Sequence, residues 1–178
     1  MNKPKLILLY GFASSGKTTL SKKYIEDNPL ALSIEGDQII SMMGQWRENE
    51  NEAREIVFAH TLEMMRVHLS KGYDVLLPYL LTNSEHASIF ELVAKEVSAD
   101  FHEVYIEIER DEATERLLKR GVWGEKGSPQ LTDDDLPEIN NLYDTMEKAM
   151  AERANTKIIK SVQGDIGGTY SKFLSSIS

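Results

Sequence analysis

Residues 11–18, with the sequence GFASSGKT, carry the residue types that a phosphate-binding turn requires. They fit the pattern G-x-x-x-x-G-K-S/T, in which glycines let the backbone wrap closely around an anion with its N–H groups pointing inward. Lys17 offers a mobile positive charge for the β- and γ-phosphates, and the Thr18 hydroxyl can bind Mg²⁺. The pattern therefore predicts a site for ATP, with Mg²⁺ on Thr18. The predicted nucleotide contacts are Gly11, Ala13, Ser14, Ser15, Gly16, Lys17, Thr18 and Thr19.

The elements around this turn are those that would position it. The apolar run from Leu6 to Tyr10 is typical of a buried parallel strand, and a helix pattern begins at Lys17. Further strand-like runs, at 30–34, 75–81, 104–108 and 157–160, alternate with helix patterns, which include one capped by Ser84 and a closing one over 170–177. This alternation predicts an α/β fold, in which helices cover both faces of a parallel sheet.

Asp37 follows the second predicted strand and is a candidate base. A hydroxyl attacks phosphorus better when a positioned carboxylate accepts its proton. Parallel topology is expected to place the second strand beside the first, with its carboxyl end at the phosphate-binding turn. Two alternatives stay open: Asp37 can cap the short helix that follows it, and the direction of Glu35 in the same turn is not fixed by strand alternation.

Arg116 and Arg120 lie four residues apart, on one face of a predicted helix. Guanidinium groups neutralise the charge that spreads over a transferring phosphoryl group, so both are candidates for catalysis. The alternative is that they form salt bridges with Glu112 or Glu115. The glycine-containing stretch that follows, about 121–135, has few apolar residues and is predicted to form a flap over the nucleotide.

In this order of features the chain resembles the small-molecule P-loop kinases, such as gluconate kinase, shikimate kinase, adenylylsulfate kinase and chloramphenicol phosphotransferase. The resemblance extends over nearly the whole chain. It implies a three-layer P-loop NTPase fold with a five-stranded parallel sheet, and transfer of the γ-phosphate of ATP to a hydroxyl group. It also implies catalytic roles for Lys17, Asp37, Arg116 and Arg120.

One position departs from that family. Many members carry an aspartate at the end of the third strand, where it holds the water shell of Mg²⁺, but here Pro78 stands in its place. Because proline cannot donate to a sheet ladder, we expect Pro78 to break or end the strand. Mg²⁺ must then rest on Thr18, the phosphates and water, with Asp37 as a further candidate.

The segment from Met42 to Arg66 is expected to form one wall of the acceptor site if the resemblance holds. Its candidate contacts are Gln45, Trp46, Arg47, Arg54 and His60. A lone histidine on a helix is more often packed or exposed than catalytic. The acceptor itself cannot be identified from the sequence.

The bulk composition limits the classes of function. The chain has 178 residues, a formal net charge of -9 and no cysteine, and no apolar run long enough to cross a bilayer. We therefore expect one domain over 1–178, a cytoplasmic location, a small-molecule acceptor and no membrane. Acidity disfavours nucleic acid as a partner, and the oligomeric state stays open.

Two other classes of function remain as alternatives. One is a regulatory ATPase or binding module that transfers no phosphate to a small molecule. The other is a nucleotide or polynucleotide 5′-hydroxyl kinase.

Overall fold

Five parallel strands form one sheet, and helices connect each strand to the next. The computed structural model describes residues 3–124, 129–162 and 164–178. The strands are β1 (Lys5–Gly11), β2 (Leu32–Ser33), β3 (Val75–Tyr79), β4 (Asp100–Glu107) and β5 (Lys157–Lys160). The helices are α1 (Lys17–Asp27), α2 (Gly36–Ile40), α3 (Glu50–Ser70), α4 (Ser84–Glu96), α5 (Arg110–Arg120), α6 (Leu136–Ala151) and α7 (Ile166–Ser176). The predicted alternation of strands and helices is confirmed.

The sheet separates two hydrophobic cores, because successive side chains of a strand point to opposite faces. On one face Leu6, Leu8 and Tyr10 of β1 pack in a core that includes side chains of α3, α4, α5 and α6. On the other face Ile7 and Leu9 pack with side chains of α1 and α7. Helices therefore cover both faces, and the predicted three layers are present.

The strand order is β2-β3-β1-β4-β5, which corrects one expectation. β2 does not lie beside β1, because β3 lies between them and pairs with both. α1 begins at the end of β1 and crosses the face of β3 to reach β2, where Ser21 Oγ lies 2.7 Å from Ser33 Oγ. The carboxyl ends of β1 and β2 are thus joined by a helix rather than by strand pairing.

Pro78 does not break β3, because it lies within the strand, opposite Leu9 of β1. The expectation was that Pro78 would break or end the strand, and β3 ends one residue later, at Tyr79, rather than at residue 81. The N–H of Ile34 donates to Leu76 O at 2.9 Å, so Leu76 faces β2, and Pro78 faces the same way two residues later. Because β2 has already ended at Ser33, no ladder hydrogen bond on that side requires the N–H that proline lacks.

Two helix starts also differ from the predictions. The cap of α4 is Asn83, whose side chain accepts from Glu85 N at 2.9 Å, whereas Ser84 is the first helical residue. α7 begins four residues earlier than expected, because Asp165 caps it by accepting from Gly168 N at 2.8 Å. Within the ranges described, no helix is both long and apolar enough to span a bilayer.

Candidate nucleotide-binding site

The phosphate-binding turn lies between β1 and α1, at the carboxyl edge of the sheet. Gly11 approaches β4 so closely that a β-carbon there would lie 2.7 Å from Ile106 O, which explains why glycine is required. Gly16 has a φ of 103° at the start of α1, in the left-handed region that glycine adopts without strain. Ser14, between them, has a φ of 63°. These angles curl the backbone into the concave turn predicted from the motif.

The Lys17 ammonium group is held inside this turn. Its Nζ donates to Gly11 O at 2.7 Å and to Phe12 O at 2.8 Å. The pKa of Lys17 is lowered from its ordinary 10.5 to about 7, chiefly by burial and also by the positive charge of Arg120, whereas the carboxylate of Asp37 acts in the opposite direction. A phosphate group would reverse this balance, because it places negative charge beside the amine.

Two serine hydroxyls in the turn are buried without a hydrogen-bond partner in the part of the chain that the structure describes. They are Ser14 Oγ and Ser15 Oγ. An unsatisfied buried hydroxyl costs about 1–3 kcal/mol, so a ligand that accepts hydrogen bonds from these serines would stabilise the turn. Phosphate oxygens are acceptors for such hydroxyls. Thr18 and Thr19 are exposed in the first turn of α1, beside this opening.

Glu35 and Asp37, at the start of α2, approach the turn from the side of β2. Thr18 Oγ1 donates to Glu35 Oε2 at 3.4 Å, and the charge of Asp37 acts on Lys17. The two carboxylates therefore face different parts of the turn. Thr18 and Ser21 lie about one helical turn apart on α1 and contact Glu35 and Ser33 respectively, so α1 lies against the end of β2 and the residue before α2.

These residues fit a magnesium ion held mainly by the nucleotide. Among the residues with described positions, no group of three or more histidine, aspartate or glutamate side chains forms a metal site. Mg²⁺ commonly binds through one or two protein oxygens, water and substrate phosphates. Thr18 and Glu35 supply oxygens of this kind. The position of Glu35 was left open by the sequence, although its distance of two residues from Asp37 was a usable signal.

The two candidate arginines have different surroundings. Arg120 lies close enough to Lys17 to affect its pKa, and its Nε donates to Val122 O at 2.8 Å. Arg116 instead pairs with Glu112 one turn earlier on α5, as the alternative reading of the sequence proposed. The structure thus brings Arg120 close to Lys17 of the phosphate-binding turn, whereas it pairs Arg116 with Glu112.

Residues near both ends of the predicted flap contact other parts of the protein or each other. Leu131 N donates to Gly121 O at 2.7 Å, which closes the base of the segment. On the α5 side Gly124 lies against Asp37, because a β-carbon on Gly124 would be 2.5 Å from Asp37 Oδ2. The middle of the predicted flap, 125–128, lies outside the described residues.

A depression of about 390 Å³ follows α2, in the segment where acceptor contacts were expected. Its lining residues are Ser41, Met43, Gln45, Trp46, Arg47 and Glu48. The guanidinium of Arg47 lies over the Trp46 ring, 4.3 Å from its centroid. Two other candidates do not line this depression: Arg54 pairs with Glu50 at 2.7 Å, and His60 is exposed on α3.

Comparison with known proteins agrees with this geometry. A family model described as an AAA domain (AAA_33) matches residues 6–140. Shikimate kinase from Aquifex aeolicus vf5 has a similar structure, with a TM-score of 0.58 and 17% identity over 97% of this chain and 95% of that chain. The crystal structure of APE1195 is similar at a TM-score of 0.54 and 17% identity, over 83% of this chain and 97% of that chain.

No curated protein matches the chain significantly. At these identities the structural similarity concerns the fold, and it confirms the predicted P-loop kinase-like α/β architecture. The family match covers more than half of the chain and includes the phosphate-binding turn, the carboxylates of α2 and all of α5. The chain therefore belongs to this AAA domain family, and its fold is that of the P-loop kinase-like proteins.

Proposed function

We propose that the protein is an ATP-dependent phosphotransferase that moves the γ-phosphate of ATP to a hydroxyl group of a small molecule. The observation that carries this proposal is the position of Asp37. Its carboxylate is close enough to Lys17 to raise the pKa of that residue, and it also lies against Gly124 of the flap segment. A base is useful at this point, because the γ-phosphate of a nucleotide bound at the turn would lie next to Lys17.

In the proposed reaction the acceptor oxygen forms a bond to the γ-phosphorus, and the bond from that phosphorus to the β–γ bridging oxygen breaks. Asp37 accepts the proton of the acceptor hydroxyl. Lys17 and Arg120 stabilise the negative charge on the transferring group. Thr18 and Glu35 would hold Mg²⁺, which when bound neutralises charge on the β- and γ-phosphate oxygens.

The acceptor site is proposed to lie between α2 and the start of α3. The depression lined by Trp46 and its neighbours begins at Ser41, whose hydroxyl donates to Asp37 O at 2.5 Å, so it starts one helical turn from the proposed base. A volume of about 390 Å³ suits a small molecule. The net charge of -9 also favours a small acceptor over a polynucleotide, and we propose a cytoplasmic location.

The test is transfer of label from γ-labelled ATP to sugars, nucleosides and aminoglycoside or phenolic alcohols, with products separated by mass. The wild-type protein is expected to label at least one class of acceptor. Lys17→Ala should lower this transfer by about 10- to 150-fold, because it removes a charged hydrogen bond of about 1.5–3 kcal/mol to phosphate. Lys22→Ala, an exposed lysine of the same helix, is the matched control and should remain active.

A second function is favoured by the end of β3, where Pro78 replaces the carboxylate expected from the family. A protein lacking this carboxylate is a candidate for a regulatory ATPase or a nucleotide-binding module. The same assay separates the cases. Release of labelled inorganic phosphate without a labelled acceptor indicates an ATPase. ATP that binds the protein but is neither hydrolysed nor transferred indicates a binding module.

A further inference from the structure

Phe12, inside the phosphate-binding turn, has an aromatic partner on a distant helix. Its ring centroid lies 5.0 Å from that of Tyr143 of α6, with the ring planes tilted by 52°. Phe12 is fully buried and Tyr143 is 5% exposed. The motif itself does not specify the residue after its first glycine, so this contact is a property of the present chain.

Besides Phe12, Tyr143 has two further contacts. Its hydroxyl donates to Ile108 O at 2.7 Å, just after β4. The guanidinium of Arg110 lies 4.7 Å from the ring centroid, and Arg110 pairs in turn with Asp144 of α6. A ring with this many contacts has little freedom, so it can serve as a rigid support.

The backbone of Phe12 links this support to the nucleotide site. Phe12 O accepts from the N–H of Ser15 at 3.2 Å, which closes the turn, and from Lys17 Nζ at 2.8 Å. Any displacement of the Phe12 ring would therefore move an acceptor of both the turn and its lysine. Phe12 therefore connects the ring of Tyr143 to Ser15 N and Lys17 Nζ, which give the phosphate-binding turn its shape and its positive charge.

α6 also begins next to the flap segment. Thr132 N donates to Asp135 Oδ2 at 2.7 Å, and α6 starts at the following residue. Thr132 and Asp135 thus cap the turn that leads from Leu131 into α6, the helix that carries Tyr143.

We propose that Tyr143 is a positioning residue for nucleotide binding: its ring holds Phe12, and through Phe12 the geometry of Lys17 and of the phosphate-binding turn. The proposal rests on the nucleotide binding assumed in the proposed function, but not on phosphate transfer. It assigns the ring, rather than the hydroxyl, as the part that acts on the turn.

The test is the dissociation constant of ATP with Mg²⁺ and of inorganic triphosphate, measured by titration calorimetry on the full chain. Tyr143→Leu removes the ring and should weaken both ligands by about 2- to 10-fold, the range that the loss of one aromatic pair corresponds to. Tyr143→Phe keeps the ring and should stay within about twofold of the wild type. Tyr170→Leu is the matched control, because Tyr170 is also 5% exposed and its ring packs against that of Phe173. Its hydroxyl also donates a hydrogen bond, to Asp27 Oδ2 at 2.8 Å.

Phe12→Leu provides a second route if Tyr143→Leu does not fold. It should cause a similar loss of affinity, and the double variant should lose little more, since both changes remove one contact. Equal affinities in Tyr143→Leu and Tyr170→Leu, or additive losses in the double variant, would overturn the proposal.

Phosphate transfer is a separate outcome. A wild-type protein that binds ATP without transferring phosphate would overturn the proposed function and leave this assignment standing if the variants behave as expected. A wild-type protein that binds neither ligand would overturn both.

Discussion

The carboxylate of Asp37 and the backbone of Gly124 are in such close contact that a single β-carbon on Gly124 would lie 2.5 Å from Asp37 Oδ2. The contact joins the start of α2 to the segment that follows α5. The space left by the missing side chain of Gly124 is thus occupied by the proposed base. Residue 124 is therefore a point where a small substitution should affect Asp37 directly.

We predict that Gly124→Ala lowers phosphate transfer by roughly 10-fold, since displacements of about 1 Å in a catalytic group can cost up to about 100-fold. The Asp37 side chain is flexible and should move aside, so the free energy of unfolding should change by less than about 1 kcal/mol. Steady-state kinetics and urea unfolding measure the two effects. Gly167→Ala is the control, because nothing lies within 4 Å of its added carbon. Equal activity in the two variants would refute the importance of this contact.

The two carboxylates at the start of α2, Glu35 and Asp37, should differ in function. Asp37→Asn is predicted to lower the rate of transfer by about 10²- to 10⁴-fold, the usual cost of losing a general base, and to leave ATP affinity within a few fold. Glu35→Gln should mainly raise the Mg²⁺ concentration needed for half-maximal activity, because Glu35 accepts from Thr18. Magnesium titrations of both variants measure this.

The opposite pattern would reassign the residues. Collapse of ATP–Mg²⁺ affinity in Asp37→Asn would make Asp37 a residue of the metal shell. An unchanged transfer rate and unchanged ATP affinity in Asp37→Asn would mean that Asp37 has only a structural role in α2.

The sequence was most informative where structure is local. The phosphate-binding turn could be predicted because Gly11, Gly16 and Lys17 satisfy its backbone and charge requirements within eight residues. The neighbours of β2 could not, because strand order depends on pairings far apart in sequence. Asp37 was expected near the turn for the wrong reason, since α1 rather than strand pairing brings the two regions together.

Pro78 shows the same limit from another side. Whether a proline interrupts a strand depends on which neighbour its nitrogen faces and on where that neighbour ends. Neither fact is present in the residues around it. The aromatic contact between Phe12 and Tyr143 likewise joins positions 131 residues apart, and no local pattern predicts it.

Arg120 should matter more to transfer than Arg116. We predict that Arg120→Ala lowers the rate by about 10²- to 10³-fold, the cost found when one donor to a developing charge is removed. It should also raise the pKa of Lys17, because the neighbouring positive charge is lost. Arg116→Ala removes the pair with Glu112 and should cost much less. Single-turnover rates compare the two, and a larger loss in Arg116→Ala would contradict the assignment.

The free energy of unfolding should depend on the buried ion pair between Arg153 and Glu103 of β4. Arg153 Nε and Nη2 donate to the two carboxylate oxygens of Glu103, each at 2.9 Å, and the side chain of Glu103 is only 3% exposed. Arg153→Met is predicted to lower the free energy of unfolding by about 3–5 kcal/mol, because it leaves a buried charge unpaired. The double variant with Glu103→Leu should recover a large part of this in urea unfolding. A single variant as stable as the wild type would contradict the prediction.

Nucleotide binding should take up a proton at Lys17. In the free protein the pKa of Lys17 is about 7, lowered from 10.5 chiefly by burial, so the amine is mostly neutral at pH 8.5. The unfolded chain binds this proton up to its higher pKa, so the contribution of Lys17 to the free energy of unfolding rises from pH 7 toward 10.5.

Bound phosphate favours the ammonium form of Lys17 and raises its pKa again. The contribution of Lys17 to ATP–Mg²⁺ affinity should therefore be nearly constant below about pH 6 and should fall as the pH rises through 7, approaching tenfold per pH unit. Calorimetry at pH 8.5 in buffers of different ionisation enthalpy should show uptake of nearly one proton. Lys17→Arg, whose guanidinium stays charged, should show none. Proton uptake that is equal in the two proteins would place the titrating group elsewhere.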